Sequence, residues 1–244
     1  MSSTTGPIRL SVVVPAYNEE KRLPATLDRI AEYLARNGRL QPAEVVVVDD
    51  GSTDGTAGVV GAFRPPGGVA VRLIRLARNR GKGAGVRAGM AASLGERVLI
   101  SDADLSAPIE EVEVLLGSGA DLAVGSRGVR REMIMRHQPL ARDTMGRIFN
   151  LALRALGLTH LKDTQCGFKL LEGSLARRLA GALRLDGFAY DVELLARAER
   201  SGASIAEVPV HWYHVEASRV RPLRHGLQML RDSVRVRVWL WLGR

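Results

Sequence analysis

The feature that most constrains the fold is the alternation of short β-branched runs with helical patterns in the first half of the chain. An amphipathic stretch from Glu19 to about Asn37 predicts the first helix. The runs predict strands at residues 10–14, 45–48, 71–75, 97–100 and 121–124. Such alternation predicts an α/β fold with a mostly parallel, Rossmann-like sheet flanked by helices. Ligands bind at the carboxyl ends of the strands in such sheets, so the residues after each run are the candidate site.

Length and composition narrow the class of protein. The 244 residues are 46% hydrophobic, which suits one domain, and we assign it residues 1–216, with 217–244 as a C-terminal helix of the same domain. Cys166 is the only cysteine, so an internal disulfide is excluded and a cytoplasmic location is expected. We expect neither a signal peptide nor a membrane span, since no apolar run approaches roughly 20 residues.

The formal net charge of +9 comes mostly from arginine and predicts an anionic partner. Nucleic acid, an acidic lipid surface and a phosphorylated substrate all satisfy this expectation. Arginine prefers forked contacts with phosphate, although a biased genome composition produces the same excess. Charge alone therefore does not choose among these partners.

Two aspartates follow the fourth predicted strand. Asp102 and Asp104 are separated by one alanine, and side chains at i and i+2 of an extended chain point the same way. Paired carboxylates repel each other unless a cation intervenes, and their oxygens favour Mg²⁺ or Mn²⁺, which also bind substrate phosphates. The pair therefore indicates a site for a metal and a diphosphate. A turn or helix cap before Pro108 is the structural alternative.

A second acidic segment follows the second predicted strand, where Asp49 and Asp50 precede Gly-Ser-Thr-Asp-Gly-Thr at 51–56. Carboxylates at this position can accept hydrogen bonds from a nucleotide base or ribose. A capped turn between strand and helix explains residues 51–54 but leaves the doubled aspartate unexplained. Both interpretations stay open at this point.

Lys82 lies in a glycine-rich segment, residues 79–85, that lacks the spacing of a Walker loop. The first predicted strand is not followed by a dinucleotide fingerprint, so an NAD or FAD enzyme is not expected. At a helix start, Lys82 can pair with a phosphate. The alternative is that the glycines only allow close helix packing.

The C-terminal segment from Ala217 onward has seven arginines and one aspartate. Its apolar residues recur at helical spacing: Leu223, Leu227, Leu230, Val234, Val238 and Trp241. The pattern predicts a basic amphipathic helix. Such a helix on an anionic membrane brings the site to a lipid phosphate, whereas packing on the domain or pairing two subunits is the alternative.

Three of these segments, in this order, resemble the donor site of family 2 glycosyltransferases with the GT-A fold. They are Pro-Ala-Tyr-Asn-Glu at 15–19, the acidic segment at 49–56 and Asp-Ala-Asp at 102–104. Further segments resemble the dolichyl-phosphate β-glucosyltransferase branch, near the dolichyl-phosphate mannose synthases, at 125–127, 163–169, 188–195 and 205–212. The likeness covers roughly residues 8–235.

The resemblance implies roles for particular residues. It implies nucleotide-binding residues, with Asp49 assisting: Pro15, Tyr17, Glu19, Asp49 and Asp50. It also implies that Asp102 and Asp104 hold Mg²⁺ or Mn²⁺, and we count Asp104 among the catalytic residues. Mannose synthases often carry glutamine where this chain has Ser106, so the third ligand of the cation is not assigned and glucose is favoured.

The resemblance implies an inverting transfer of a hexose, glucose before mannose, from UDP-glucose or GDP-mannose to a polyprenyl phosphate such as dolichyl or undecaprenyl phosphate. A phosphate monoester is largely anionic at neutral pH, so its attack needs little help from a general base. Arg127, Arg131 and Arg142 are the candidates for positioning it, with a solvated basic loop as the alternative. Asp191 and Glu193 are expected to shape the acceptor side.

Other functions stay open from the sequence. A transferase of the same family can use a soluble or protein-linked acceptor, and a nucleotide-sugar-binding module can lack catalysis. Nucleic-acid binding through the basic tail leaves the acidic segments unused, so no nucleic-acid partner is expected. The expected location is the cytoplasmic face of a membrane, with peripheral contact through the C-terminal helix.

Overall fold

The computed structural model describes residues 6–136, 140–215 and 222–243, and the side chains within these ranges except at 140–142 and 222–225. The strands are β1 Leu10–Ala16, β2 Ala43–Asp49, β3 Val69–Arg75, β4 Arg97–Ile100, β5 Leu122–Ser126, β6 Ile134–Arg136, β7 Lys169–Glu172, β8 Ile205–Pro209 and β9 Trp212–Tyr213. The helices are α1 Leu23–Arg36, α2 Thr56–Ala62, α3 Lys82–Ala92, α4 Val112–Gly117, α5 Leu140–Ala155, α6 Gly173–Ala182, α7 Tyr190–Arg200 and α8 Pro222–Trp241.

Seven strands form one sheet in the order β3-β2-β1-β4-β7-β5-β8, and β6 pairs with β9 beside it. β7 runs antiparallel between β4 and β5, and every other pairing in the large sheet is parallel. The five predicted strands correspond to β1–β5, which confirms the α/β fold with a mostly parallel sheet. β2 is buried along its whole length because helices cover both faces of the sheet.

Adjacent residues of β1 face opposite layers of the core. Val12 packs in one buried cluster with Leu27 of α1, and Val13 packs in another with Met90 of α3. A Cβ at Gly89 would lie 2.2 Å from Cγ1 of Val13, so glycine lets α3 lie directly on the sheet. Close packing therefore accounts for part of the glycine-rich pattern in this helix.

Some elements begin or run differently from the prediction. α1 begins at Leu23 rather than Glu19, because the preceding residues form a loop that binds the neighbouring loop at 52–56. The antiparallel direction of β7 was not predicted, since a four-residue Lys-Leu-Leu-Glu strand has no pattern that shows its partners.

α8 confirms the predicted C-terminal helix, which packs against α5 and α7. Ser233 and Val236 face the domain, whereas Leu227 and Trp241 are 73% and 81% exposed. The exposed apolar residues of this segment are Leu227, Leu230, Val234, Val238, Trp241 and Leu242. The side chain of Leu223 lies outside the described residues. Across the described part of the chain, none of the helices has the length and apolar character of a membrane span.

Candidate active site

A cleft of about 510 Å³ opens at the carboxyl ends of the parallel strands. Residues that follow β1, β2, β4 and β5 form its walls, as expected for such a sheet. Most of the predicted site residues line it: Pro15, Tyr17, Glu19, Asp50, Lys82, Asp102, Asp104 and Arg127. The fold thus brings the separate sequence motifs to one place.

The loops after β1 and β2 are hydrogen-bonded to each other. The backbone N–H of Asn18 donates to Oγ of Ser52 at 2.8 Å, and that of Glu19 donates to Oγ1 of Thr56 at 2.8 Å. Asn18 has a φ of 53°, in the left-handed region that asparagine tolerates. These bonds hold Tyr17 and Glu19 at the edge of the cleft.

Asp50 fixes the start of α3. Its two carboxylate oxygens accept hydrogen bonds from the backbone N–H groups of Arg80 and Gly81, at 2.8 and 2.7 Å. Burial raises the pKa of Asp50, and these N–H groups oppose the rise. Gly81 has a φ of 113°, and a Cβ there would lie 2.5 Å from the carbonyl oxygen of Asp186. The turn therefore requires glycine, and it places Lys82 in the cleft wall.

Asp49 lies beneath the surface of the cleft. It is fully buried, and its Oδ1 accepts a 2.8 Å hydrogen bond from the backbone N–H of Ser52. Nε of Arg75 lies 3.2 Å from Oδ2. Among the described residues, those that line the cleft do not include Asp49. Its carboxylate shapes the turn after β2, and its part in nucleotide binding stays a prediction.

Asp102 and Lys82 form an ion pair in the cleft, with 2.7 Å between Oδ1 and Nζ. Burial acts to raise the pKa of Asp102, but the positive charges of Lys82, Lys169 and Arg127 together outweigh it and hold the pKa below its ordinary value. Burial acts to lower the pKa of Lys82, and Asp102, followed by Asp191, raises it above the ordinary value. Both groups are therefore charged at neutral pH. A phosphate in the cleft must share Lys82 with Asp102.

Asp104 points into the same cleft and is held by its own turn. Its Oδ1 accepts a 3.0 Å hydrogen bond from the backbone N–H of Ser106, and Nη1 of Arg22 lies 4.0 Å from Oδ2. The described residues contain no group of three His, Cys, Asp or Glu side chains placed to hold a metal. Two cleft-lining carboxylates nevertheless fit Mg²⁺ or Mn²⁺, because these ions take their other ligands from phosphate and water.

Arg127 forms a forked ion pair with Asp163. Nε and Nη2 of Arg127 donate to the two carboxylate oxygens at 2.6 and 2.9 Å. Burial acts to raise the pKa of Asp163, but Arg127 lowers it to about 2. The guanidinium carbon also lies 5.3 Å from the ring centre of Trp212. Because the pair uses Nε and Nη2, Nη1 is the nitrogen that can bind a ligand in the cleft.

Of the other two arginine candidates, the structure describes only the side chain of Arg131, which lies apart from Arg127. Arg131 is 44% exposed, and its Nη2 donates to Asp143 at 2.9 Å on the protein surface. Within the described residues, the cleft lining does not include Arg131. Arg142 belongs to α5, but its side chain lies outside the described residues. Phosphate binding by either arginine stays a prediction.

Asp191 and Glu193 have different surroundings although both lie in the first turn of α7. Asp191 lines the cleft. Glu193 is fully buried and accepts hydrogen bonds from the backbone N–H groups of Arg184 and Leu185, at 3.0 and 2.8 Å. Glu193 therefore holds the segment before α7.

Several residues of the cleft were not predicted from the sequence. They include Arg22 and Met229, whereas Gln165, Gly167 and Trp212 lie in segments that were noticed only through the family resemblance. Asp163 and Lys169 occur in a segment that was noticed only through the family resemblance. None of these residues belongs to a motif with a chemical signature, so only their position in the fold reveals them.

The sequence places this chain in a known family. Residues 11–179, which run from β1 into α6, match the profile of the family described as Glycosyl transferase family 2. The chain belongs to glycosyltransferase family 2. A relative of this glycosyltransferase is the dolichyl-phosphate beta-glucosyltransferase of Homo sapiens, which is 38% identical over 243 residues. The match covers 94% of this chain and 75% of the human protein.

Solved structures of glucosyl-3-phosphoglycerate synthase from Mycobacterium tuberculosis resemble this glycosyltransferase. The complex with Mn²⁺, uridine diphosphate (UDP) and phosphoglyceric acid is 26% identical, with a TM-score of 0.60, and the match covers 93% of this chain and 76% of that one. The complex with Mg²⁺ and UDP is 25% identical, with a TM-score of 0.59 and coverage of 93% and 77%. The GT-A-like fold and the predicted enzyme class are thus confirmed, and these relatives bind a divalent cation together with UDP.

Proposed function

We propose that this glycosyltransferase moves a hexose, with glucose favoured over mannose, from a nucleotide-sugar to a polyprenyl phosphate with inversion. The observation that carries the proposal is the single cleft that joins Asp50, Lys82 and the Asp102 and Asp104 carboxylates with Arg127. The name of the human relative supports the acceptor and the sugar. UDP in the solved relatives supports UDP-glucose as the donor.

The donor half of the proposed site lies along β1, β2 and β4. Tyr17, Glu19 and Asp50 would hold the nucleoside, and Asp102 and Asp104 would hold Mg²⁺ or Mn²⁺. When bound, the cation supplies positive charge that stabilises the departing diphosphate. The pKa of Asp102 is held below its ordinary value by the surrounding cations, so this carboxylate keeps its charge at neutral pH, which suits this task.

The acceptor half of the proposed site uses the positive charge of Arg127, which follows β5. Arg127 is fixed by its fork with Asp163, so Nη1 can orient an acceptor phosphate without a large loss of side-chain entropy. The phosphate monoester has a second pKa near 6, so its oxygen is already anionic and attacks the anomeric carbon directly. The new bond forms as the bond to the diphosphate breaks on the opposite face.

The exposed helices support a lipid acceptor. Ile148 and Leu151 of α5 are 62% and 68% exposed, and they add to the exposed apolar residues of the adjoining α8. Phe149 of α5 and Met229 of α8 line the cleft. Exposed apolar side chains on both helices, cleft-lining residues on the same helices and a net charge of +9 suit peripheral contact with the cytoplasmic face of an anionic membrane.

A second candidate is transfer to a soluble phosphorylated acceptor. Phosphoglyceric acid is bound in a solved relative that is 26% identical, and its carboxylate and phosphate need the same arginine chemistry. The two candidates share the donor half of the cleft and differ in the acceptor.

The test is transfer from labelled UDP-glucose or GDP-mannose, with Mn²⁺, to a polyprenyl phosphate in detergent or to 3-phosphoglycerate in buffer. We expect label from UDP-glucose to enter the lipid phase. Label that stays in the water-soluble product supports the second candidate and contradicts the lipid acceptor. Absence of label in both products contradicts both candidates.

Asp104→Asn tests the donor site in the same assay. We expect transfer to fall by about 100-fold or more, because one charged cation ligand is lost. Asp28→Asn, on the exposed face of α1, is the matched control and should keep full activity. Full activity of Asp104→Asn would contradict the metal assignment.

A further inference from the structure

Lys169 is a buried charge that the proposed function leaves unused. Its side chain is fully buried, and its Nζ lies 2.5 Å from Oδ1 of Asp191 and 2.5 Å from the carbonyl oxygen of Cys166. In the sheet, Lys169 pairs with Ile100 of β4 and Val124 of β5, at the carboxyl ends where the cleft opens. A buried ammonium gains little stability over an apolar side chain of similar size. We therefore look for the function of Lys169 in the Asp191 carboxylate that it contacts.

Asp191 joins Lys169 to the cleft. Its side chain is 4% exposed, but it lines the cleft from the first turn of α7, where the helix dipole also favours negative charge. Because Oδ1 is bonded to Lys169, Oδ2 is the oxygen left to face a ligand, and burial together with the Asp191 charge raises the pKa of the adjacent Tyr190 hydroxyl. The ammonium sets which way this oxygen points.

The charges at the base of the cleft alternate in sign. Lys169 pairs with Asp191 and Lys82 pairs with Asp102, while the Asp191 charge also acts on Lys82. A diphosphate or an acceptor phosphate is repelled by Asp191. The hydroxyl groups of a hexose are neutral donors, and a carboxylate accepts hydrogen bonds from them. Of the diphosphate, the acceptor phosphate and the hexose, the hexose is therefore the group that suits this carboxylate oxygen.

We propose that Lys169 is a positioning residue that holds the Asp191 carboxylate oriented to accept a hydrogen bond from a hydroxyl of the transferred hexose. This inference rests on the proposed function, since it requires a nucleotide-sugar in the cleft. It assigns Lys169 no contact with the substrate.

Binding measurements separate the hexose from the nucleotide. We would titrate UDP and UDP-glucose, each with Mn²⁺, into the wild type, Lys169→Met, Asp191→Asn and the double variant. Both single variants should bind UDP within about twofold of the wild type and bind UDP-glucose about 10-fold more weakly, the loss expected for a hydrogen bond to a charged group. Unchanged UDP-glucose affinity in Lys169→Met would overturn the proposal.

A double-mutant cycle on the transfer rate tests whether Lys169 acts through Asp191. If it does, removal of Lys169 should slow transfer only while Asp191 is present, so the double variant should be no slower than Asp191→Asn. A double variant that is much slower than Asp191→Asn shows an independent role for Lys169 and contradicts the proposal.

Lys169→Arg and the double variant control for loss of folding. If Lys169→Met does not fold, Lys169→Arg keeps the charge and should rescue UDP-glucose binding, while the double variant removes both buried charges together. The binding measurements need no acceptor. A wild type that binds UDP-glucose but transfers it to neither acceptor therefore contradicts the proposed function and leaves this test intact.

Discussion

The lack of a side chain at Gly167 leaves room for the Asp102 carboxylate. A Cβ on Gly167 would lie 2.1 Å from Oδ2 of Asp102, and such a contact forces the carboxylate to move. We predict that Gly167→Ala lowers the transfer rate about 100-fold, since displacement of a positioning group by about 1 Å has an effect of this size. The measurement is the initial rate of glucosyl transfer, together with UDP affinity in the presence of Mn²⁺.

The matched control for this prediction is Gly58→Ala. Gly58 lies in α2, and a Cβ there would have no atom within 4 Å. Its transfer rate should equal that of the wild type. Equal rates for Gly167→Ala and the wild type would show that the donor site tolerates movement of Asp102.

The Arg127 and Asp163 pair predicts a specific response to acid. Because the pKa of Asp163 is about 2 in the folded chain and 3.8 as its ordinary value, the unfolded chain binds more protons between these values. The stabilising contribution is therefore complete above about pH 5, and about 2 kcal/mol is lost as the pH falls towards 2. Asp163→Asn should lack this loss, which urea unfolding at pH 5 and pH 2.5 measures. Equal losses in both proteins would contradict the prediction.

Some of the site could be predicted residue by residue, and some could not. Asp102 and Asp104 were predicted because the end of a buried strand fixes where both side chains point. Asp49 and Asp50 are neighbours, so the sequence could not show that one lies under the turn and the other in the cleft. The position of Arg131 depends on Asp143, an ion pair that no local pattern encodes.

The exposed face of α8 carries a prediction about membrane contact. Leu227 is 73% exposed, so its replacement by glutamate should leave the melting temperature within about 1 °C, as for most surface changes. Burial of a leucine side chain contributes about 1.5–3 kcal/mol, so binding to vesicles with anionic lipids should weaken about 10-fold or more. Co-sedimentation with vesicles, with and without anionic lipid, measures the effect.

Gln228→Glu is the charge-matched control for Leu227→Glu. Gln228 is also exposed on α8 but is polar, so the change adds a negative charge without removing apolar surface. If both variants bind vesicles equally weakly, charge alone holds the helix to the membrane. If neither variant is affected, α8 does not contact lipid.

Hydrophobic periodicity predicts that α1 and α8 are helices, but it does not predict where they begin or which way their apolar residues face. α8 was predicted as an amphipathic helix, but its apolar residues alone could not show whether they face the domain; Val236 does and Leu227 does not. α1 has a clear apolar stripe, yet its first turn begins only at Leu23, because loop contacts beyond the helix hold the preceding residues. Tertiary contacts therefore decide the boundaries and orientations that periodicity leaves open.

Thermal unfolding should show that nucleotide and cation bind together. If UDP with Mn²⁺ is present at about 100 times its dissociation constant, it stabilises the folded chain by about 2.7 kcal/mol. For a chain of this size the melting temperature should rise by roughly 5–10 °C. UDP alone and Mn²⁺ alone should each give a much smaller shift, and a chelator should reverse the joint one. A full shift with UDP alone would contradict the proposed cation site.

The antiparallel strand β7 also determines when the sheet can be completed during synthesis. In the sheet, β7 lies between β4 and β5. Each of these two strands therefore has an unpaired backbone edge until residues 169–172 have been synthesised. Exposed strand edges pair readily with other chains. A fragment that ends before Lys169 therefore contains most of the donor motifs but is prone to aggregate through these edges. The sheet of this enzyme therefore cannot be completed until β7, which follows β4 and β5 by many residues in the sequence, has been synthesised.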